Sequence, residues 1–307
     1  SCGSNRFRNT LATCGCMTSG PGMSEVPAPI AQVSATVLAN RRVGAYHQLT
    51  LDAAEIAVAA RPGQFVALAV GGSTSSLLLR RSFSIHRTRP ETNGSVEIVV
   101  ADAGPGTHWI TALAPQAQVD VLGPLGRGFP FPARPGATVL IGGGYGSAPM
   151  LWLADVLRGN GIEVHHILGA ATADRLFGVD LVAPEDGLIV TTDDGSQGQR
   201  GRVTDPLSEL LHRTGAAAIY ACGPMPMLAA VTGVAQAHGA TAYVAVEEAM
   251  ACGIGVCMTC VLPVRGGDGI TRMTRSCTDG PIFEGGSVRW EAIANGRVAV
   301  PSDALGA

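Results

Sequence analysis

The densest group of reactive side chains is Cys252-Gly-Ile-Gly-Val-Cys257-Met-Thr-Cys260, with Cys277 beyond it. The spacing, C-x4-C-x2-C-x16-C, puts three thiols in one short loop and returns a fourth from farther along the chain. Two irons of a [2Fe–2S] cluster need four thiolates, and this arrangement supplies them. Glycines at 253 and 255 let the loop turn tightly, with N–H groups able to face the sulfurs. The fourth ligand is expected from a hairpin near residues 261–264 and 273–276. Structural zinc is the competing chemistry; it prefers paired C-x2-4-C knuckles, and only Cys257 and Cys260 form one. Of the eight cysteines, three lie near the N-terminus, at 2, 14 and 16, and Cys222 stands apart. Such clustering points to a metal site in a reducing compartment rather than a disulfide scaffold.

A second set of residues has the chemistry of phosphate and nucleotide binding. Arg81-Ser82-Phe83-Ser84 offers a guanidinium, whose planar fork suits phosphate, though an Arg on a surface strand is common. Gly104-Pro105-Gly106-Thr107 is expected to open a helix whose free N–H groups and dipole favour an anion. Gly142-Gly143-Gly144-Tyr145-Gly146 follows an apolar run and opens another helix. It is not a full G-x-G-x-x-G, but a turn without side chains lets a dinucleotide approach. Tyr220-Ala221-Cys222-Gly223-Pro224 is the last piece; Cys222 alone reads equally well as a small buried thiol. All 21 basic side chains are Arg, so Arg or protonated His must provide any side-chain cation at a phosphate.

The elements expected to position these groups fall into three folded modules after a tail. Residues 1–28, rich in Gly, Ser, Pro and Cys, read as a disordered extension, with Met23 a plausible natural start. From 29 to 135, short apolar runs at 31–38, 46–51, 64–70, 82–86, 96–101 and 118–122 alternate with turn signals. That pattern predicts a small antiparallel barrel, interrupted by one helix from about 107 to 113. Over 136–240 the pattern becomes strand–helix alternation: strands near 138–141, 163–168, 187–191 and 217–221, helices near 148–158, 205–213 and after 226. Continuous apolar strands alternating with helices predict a doubly wound parallel sheet. Residues 241–307, rich in Cys and Gly, read as a small metal-dependent module.

Composition narrows the function. The net charge is −3 with no basic block, which argues against a nucleic-acid partner. No apolar run reaches the ~18 residues of a membrane span, and the N-terminus lacks the apolar core of a signal peptide. A cytoplasmic protein is the expectation. The seven His show no metal-ligand spacing, and His165-His166 in a strand should face opposite ways.

On these motifs the chain resembles the ferredoxin reductase superfamily. The stretches Glu247-Glu248-Ala249-Met250-Ala251-Cys252 and Cys277-Thr278-Asp279-Gly280-Pro281-Ile282-Phe283 look specifically like the electron-transfer subunit of type B, NAD-linked dihydroorotate dehydrogenase. The resemblance covers about residues 30 to 290. It implies an FAD-binding antiparallel barrel, a nucleotide-binding parallel-sheet domain and a C-terminal [2Fe–2S] module. It implies that Arg81, Gly106 and Thr107 meet the FAD pyrophosphate, with Ser82, Phe83 and Ser84 along the isoalloxazine and Val99, Val100 and Ala101 on the ribityl side. Many relatives carry Arg where Ala101 stands, so one phosphate contact is missing here. It implies that Gly142, Gly143, Gly144, Tyr145 and Gly146 serve the dinucleotide. Cys222, Gly223 and Pro224 then border the nicotinamide, and Cys252, Cys257, Cys260 and Cys277 hold the cluster. NAD rather than NADP is expected, because Asp174 precedes the only nearby cation, Arg175. An FMN-containing partner would oxidise dihydroorotate, in an assembly with two copies of each chain. Electrons would pass through the cluster to FAD and on to NAD. No catalytic proton-transfer residue is expected in this chain, and Glu247 and Glu248 read as solvated or turn-capping acids, with tuning of the flavin as the alternative. The rival readings are a subunit of another ferredoxin-reductase-type complex and a zinc-binding regulator on the same fold.

Overall fold

The computed structural model describes residues 29–72, 75–133, 136–294 and 296–305. The tail at 1–28, and residues 134–135 beside the expected barrel–sheet boundary at 135/136, lie outside the described residues.

The first module is a closed six-stranded barrel of β1 (Ala31–Val43), β2 (Tyr46–Asp52), β3 (Phe65–Leu68), β4 (Arg81–Arg89), β5 (Ser95–Ala101) and β6 (Gln118–Leu125), in the order β1-β2-β5-β4-β3-β6. Every neighbouring pair is antiparallel, and β6 closes on β1. Closure pairs every strand on both sides, so no edge is left open. Alternate residues such as Ala35, Val37, Leu49, Leu51, Ile98 and Val100 fill the interior. Two helices accompany the barrel, not the single one expected. Helix α1 (Ala54–Ala59) plugs it with Ile56 and Ala57, a segment too short for helical periodicity to be read. Helix α2 (Pro105–Thr111) begins earlier than expected, with Pro at its first position. Strand β6 runs on through Gly123 and Pro124 to Leu125.

The second module is a seven-stranded sheet of β7 (Thr138–Gly143), β8 (Val164–Ala170), β9 (Gly187–Thr192), β10 (Gln199–Arg200), β11 (Ala218–Cys222), β12 (Thr241–Ala245) and β15 (Ile282–Glu284), ordered β10-β9-β8-β7-β11-β12-β15. All pairs are parallel except β12–β15. Helices cover both faces. Val139, Ile141, Ile219 and Ala221 pack against α4 (Leu207–Thr214) and α5 (Met225–Ala237). Leu140, Ala218 and Tyr220 pack on α3 (Ser147–Gly159). The alternation along each strand gives two apolar faces.

Strand β12, assigned from sequence to the third module, is therefore a member of this sheet, and the cysteine module is inserted between β12 and β15. The insertion consists of the cysteine loop and an antiparallel hairpin, β13 (Val261–Arg265) and β14 (Thr271–Arg275). Beyond β15 the chain forms a small ribbon, β16 (Ile293–Ala294) with β17 (Arg297–Val298), and then β18 (Ala304–Leu305), parallel to β14. Arg289 anchors this return through Thr271 Oγ1 at 2.6 Å and Asp303 at 2.8 Å.

The barrel and the sheet share α3. Its Trp152 joins the barrel core while Met150 and Leu153 face the sheet. Polar contacts pin the join: His86 Nδ1–H donates to the Ala148 carbonyl at 2.7 Å, Arg87 pairs with Asp155 at 2.6 Å, and the Tyr46 hydroxyl donates to the Arg175 carbonyl at 2.8 Å. His165 faces outward to Glu163 and His166 inward to Asp186, on opposite faces as the sequence implied.

Burial holds both His86 and His166 below the ordinary imidazole value of 6.5, against the opposing pull of Ala148 on one and Asp186 on the other. The unfolded chain thus binds more protons than the fold once pH drops below about 6.5. Stability should be flat in this respect above that value. Below it, stability should fall by up to about 1.4 kcal/mol per pH unit for each histidine, down to the depressed folded-state value. Urea midpoints measured from pH 8 to 5 test this, and a midpoint level through pH 6 would contradict it.

Candidate functional site

A cleft of about 370 Å³ opens where the barrel, the sheet and the linker to the cysteine loop meet. Ser82, Phe83 and Ser84 of β4, with Val99 of β5, form the barrel wall. Tyr145 and Gly146 at the start of α3, with Cys222 at the end of β11, form the sheet wall. Glu247, Glu248 and Met250 close the third side. The ends of parallel strands around a switch in strand order are where open α/β sheets bind ligands.

Arg81 lies beyond the barrel wall. Its guanidinium lies against the start of α2: a Cβ at Gly106 would come within 2.6 Å of its Nε and 2.9 Å of its Nη2. Nη1 is fixed by the Leu79 carbonyl at 2.6 Å. The first helical bond of α2 runs from His108 N–H to the Gly104 carbonyl, so the N–H groups of Gly106 and Thr107 precede it. A fork beside helical N–H donors is a fitting cradle for a diphosphate.

Three of the expected residues are placed as follows. The Thr107 hydroxyl accepts the N–H groups of Ala103 and Gly104, both at 2.9 Å, and so caps the turn; only its main-chain N–H is left for a phosphate. Val100 is fully buried in the barrel core, so strand alternation gives the cleft Val99 but withholds the Val100 side chain. Ala101, at the end of β5, pairs with Tyr46 and adds no polar group.

In the glycine-rich turn, much of the missing bulk is taken by the protein itself. A Cβ at Gly142 would strike Ser147, one at Gly143 would strike Met227, and one at Gly146 would lie 2.4 Å from the Cys222 carbonyl. These glycines bring β7, β11 and two helix starts together. Tyr145 and Gly146 line the cleft, whereas Gly142, Gly143, Gly144, Gly223 and Pro224 do not. Tyr145 lies edge-on to Tyr46 at 5.8 Å, and its hydroxyl donates to Glu247 at 3.4 Å. Cys222 is buried, and burial followed by the nearby Glu247 charge raises its thiol well above the ordinary value, so it is a neutral packing group. Glu247 is open to the cleft, yet the surrounding walls raise its carboxyl above the usual range, partly offset by Tyr145. Sequence reading gives it a bland role; its place just after β12, a strand ending at the cleft, is the available signal.

Among the described residues the cysteines are all free thiols. Cys260 and Cys277 are buried against Phe65, Ala67 and Leu125 of the barrel. Cys252 Sγ accepts the N–H groups of Val256 and Cys257, both at 3.4 Å. Gly253 and Gly255 take positive φ, +72° and +83°, which the loop needs to turn those donors inward. The thiols stand as two contacting pairs, Cys252 with Cys257 and Cys260 with Cys277. Hydrogen bonds from Thr259 draw exposed Cys257 down to about 6, while burial and Cys260 push Cys277 up to about 12. Among the described residues no three His, Cys, Asp or Glu gather as a group able to hold a metal ion. Two pairs with inward N–H donors fit two irons better than one tetrahedral ion.

Comparison with known proteins gives the same picture. The iron-sulfur cluster binding domain of dihydroorotate dehydrogenase B matches residues 247–289. The dihydroorotate dehydrogenase B (NAD(+)) electron transfer subunit of Geobacillus thermodenitrificans is 38% identical over 256 residues, covering 82% of this chain and 96% of its own. That of Bacillus caldolyticus is 37% identical, covering 79% and 92%. Among solved structures, an NADH-dependent reduced ferredoxin-NADP oxidoreductase superposes with a TM-score of 0.74 at 29% identity, covering 88% of this chain and 92% of its own. A ferredoxin NADP+ reductase from Neisseria gonorrhoeae shares the fold, with a TM-score of 0.57 at 16% identity, covering 74% and 94%. The barrel, the doubly wound sheet and the cysteine loop between its last strands are thus those of a known lineage, and the chain belongs to the family of dihydroorotate dehydrogenase B electron transfer subunits.

Proposed function

We propose that this chain takes electrons from a dihydroorotate-oxidising partner and delivers them to NAD+, carrying FAD in the barrel cleft and one [2Fe–2S] cluster in the cysteine loop. The observation that carries this reading is the single cleft to which the barrel, the sheet and the cysteine-loop linker each give a wall. When bound, the cluster supplies one-electron chemistry, the nicotinamide two-electron chemistry, and the flavin the exchange between them.

The chain's own residues bind, orient and exclude water. Arg81 and the N–H groups of Gly106 and Thr107 hold the FAD pyrophosphate. Ser82, Phe83, Ser84 and Val99 wall the isoalloxazine. The glycine-rich turn and Cys222-Gly223-Pro224 shape the nicotinamide side, where the neutral Cys222 thiol keeps the wall small and dry. Cys252, Cys257, Cys260 and Cys277 would hold the cluster. Asp174, which accepts a bond from the Thr172 hydroxyl, would repel a 2′-phosphate and favours NAD.

The partner is a catalytic subunit carrying FMN, two copies of each chain forming the complex, in the cytoplasm. Its docking face is the crest of the cysteine loop, where Ile254, Val256 and Met258 are 47%, 76% and 42% exposed; apolar side chains exposed at an electron port favour a protein partner. Val256→Glu should abolish co-purification with the catalytic subunit while flavin and iron stay at wild-type levels. An intact complex in that variant would move the docking face elsewhere.

The deciding experiment is an absorption spectrum of the anaerobically purified chain, with iron, sulfide and flavin assays and an NADH titration. One flavin and two irons per chain, with bleaching by NADH, are expected. A colourless chain that carries zinc and stays colourless after reconstitution would overturn the reading in favour of a regulator.

A further inference from the structure

One side chain ties together parts of the cysteine module that lie far apart in sequence. Arg275 ends β14, two residues before Cys277. Its carbonyl accepts the N–H groups of Thr278 at 3.4 Å and Asp279 at 2.9 Å, and so shapes the turn that carries Cys277. Its guanidinium reaches the other ligand segment, where Nη1 donates to the Gly255 carbonyl at 3.1 Å, midway between Cys252 and Cys257. Loop and turn touch there: a Cβ at Gly255 would stand 2.7 Å from Thr278 Cγ2.

The charge around this contact is also organised. Arg275 Nε is 3.7 Å from Asp279, which in turn lies 3.8 Å from Arg127 of the segment leaving the barrel. Arg127 N–H donates to the Gly280 carbonyl at 2.6 Å. One carboxylate is thus shared by two guanidiniums, so these three side chains together carry a single positive charge. Arg275 Nε is buried and has no hydrogen-bond acceptor. A buried donor without an acceptor is costly, so its retention beside the ligand loop calls for a reason.

We infer that Arg275 is the positioning residue of the cluster: it clasps the near-ligand loop to the remote-ligand turn, and its charge favours the reduced state. This rests on the cluster assignment above. Reduction adds one electron and hence one negative charge to the site. A cation held beside the ligand loop stabilises that charge, although its half-exposed side chain is partly screened by water. The two duties need different properties. The charge could come from any cation, but contacts with the Gly255 carbonyl and Asp279 at once need the planar fork of Arg.

The test uses the full-length chain loaded with FAD and cluster, comparing wild type, Arg275→Gln and Arg275→Lys. Two readouts are taken: the cluster midpoint potential, by EPR-monitored titration, and the rate of bleaching by an iron chelator. NADH reduction of the flavin is the internal control and should be unchanged, because Arg275 lies outside the flavin cleft. Arg275→Gln should lower the potential by about 59 mV, equivalent to a tenfold loss for a one-electron couple, and should shed its cluster faster. Arg275→Lys should recover the potential but not the retention. If Arg275→Gln loads no cluster while keeping flavin, the clasp is supported, and Arg275→Lys then reports the charge effect. Wild-type potential and retention in Arg275→Gln would overturn the inference. A wild-type chain without iron would instead overturn the cluster assignment, so the two failures are distinct.

Discussion

Cys277→Ser should yield a yellow protein in place of a brown one. Its iron and sulfide should fall to background, flavin should stay near one per chain, and NADH should still bleach that flavin. Electron delivery from the catalytic partner should drop by more than ~100-fold, beyond the 10–100-fold typical of changes outside the ligand shell. The reasons are local. A serine hydroxyl is a harder and less acidic donor than a thiol and suits iron–sulfur chemistry poorly. Cys277 is also buried beside Cys260 against the barrel, where no water can easily replace it. The flavin survives because Arg81 and α2 lie on different strands and loops from the cysteine turn. Iron, sulfide and flavin assays with the NADH titration decide the matter. A Cys277→Ser variant that keeps two irons and an unchanged EPR signal would remove Cys277 from the ligand set.

Gly106→Val should separate the same chain from its flavin. The added side chain would occupy the space of the Arg81 guanidinium, whose Nε, Cζ and Nη2 all fall within 2.9 Å of a Cβ there. Either the fork moves or the start of α2 does, and both spoil the diphosphate cradle. Losing one or two charge-assisted hydrogen bonds costs about 1.5–3 kcal/mol, which corresponds to FAD binding roughly ten- to a hundredfold weaker. The melting temperature at fixed FAD should fall with it, since a ligand bound only to the fold stabilises by mass action. Arg81→Gln should act in the same direction without the steric insult, and excess FAD should restore colour in both. Wild-type FAD affinity in Gly106→Val would place the pyrophosphate elsewhere.

The parts of this site legible in the sequence are those where chemistry dictates residue type and spacing together. The spacing of Cys252, Cys257, Cys260 and Cys277 is the one that four thiolates around two irons would require. The parallel sheet could be read because its strands, covered on both faces, are continuously apolar. Spacing says less where a side chain's direction depends on register. Val100 and Val99 are indistinguishable by type, yet strand alternation sends one into the barrel and the other to the cleft. The Thr107 hydroxyl is of a type that suits a phosphate, but it is nearer to the N–H groups of its own turn. Strand β12 reads as the start of the cysteine module because composition changes there, whereas sheet membership depends on pairing with β11. The Arg275 clasp and the Glu247 wall are contacts between segments distant in sequence, and no local pattern announces them.

The insertion of the cysteine module between β12 and β15 also sets a timetable for making the protein. Three cysteines lie on the loop after β12, and the turn carrying the fourth leads directly into β15, which docks antiparallel on β12. Chains are synthesised from the N-terminus at about 5–20 residues per second, and domains tend to fold in that order. A nascent chain that still has β15 inside the ribosome therefore offers a loading apparatus an unfinished ligand set, however complete its barrel and sheet. Complete cluster loading should therefore need the edge strand, and a variant deleted for it should keep its flavin and lose its iron.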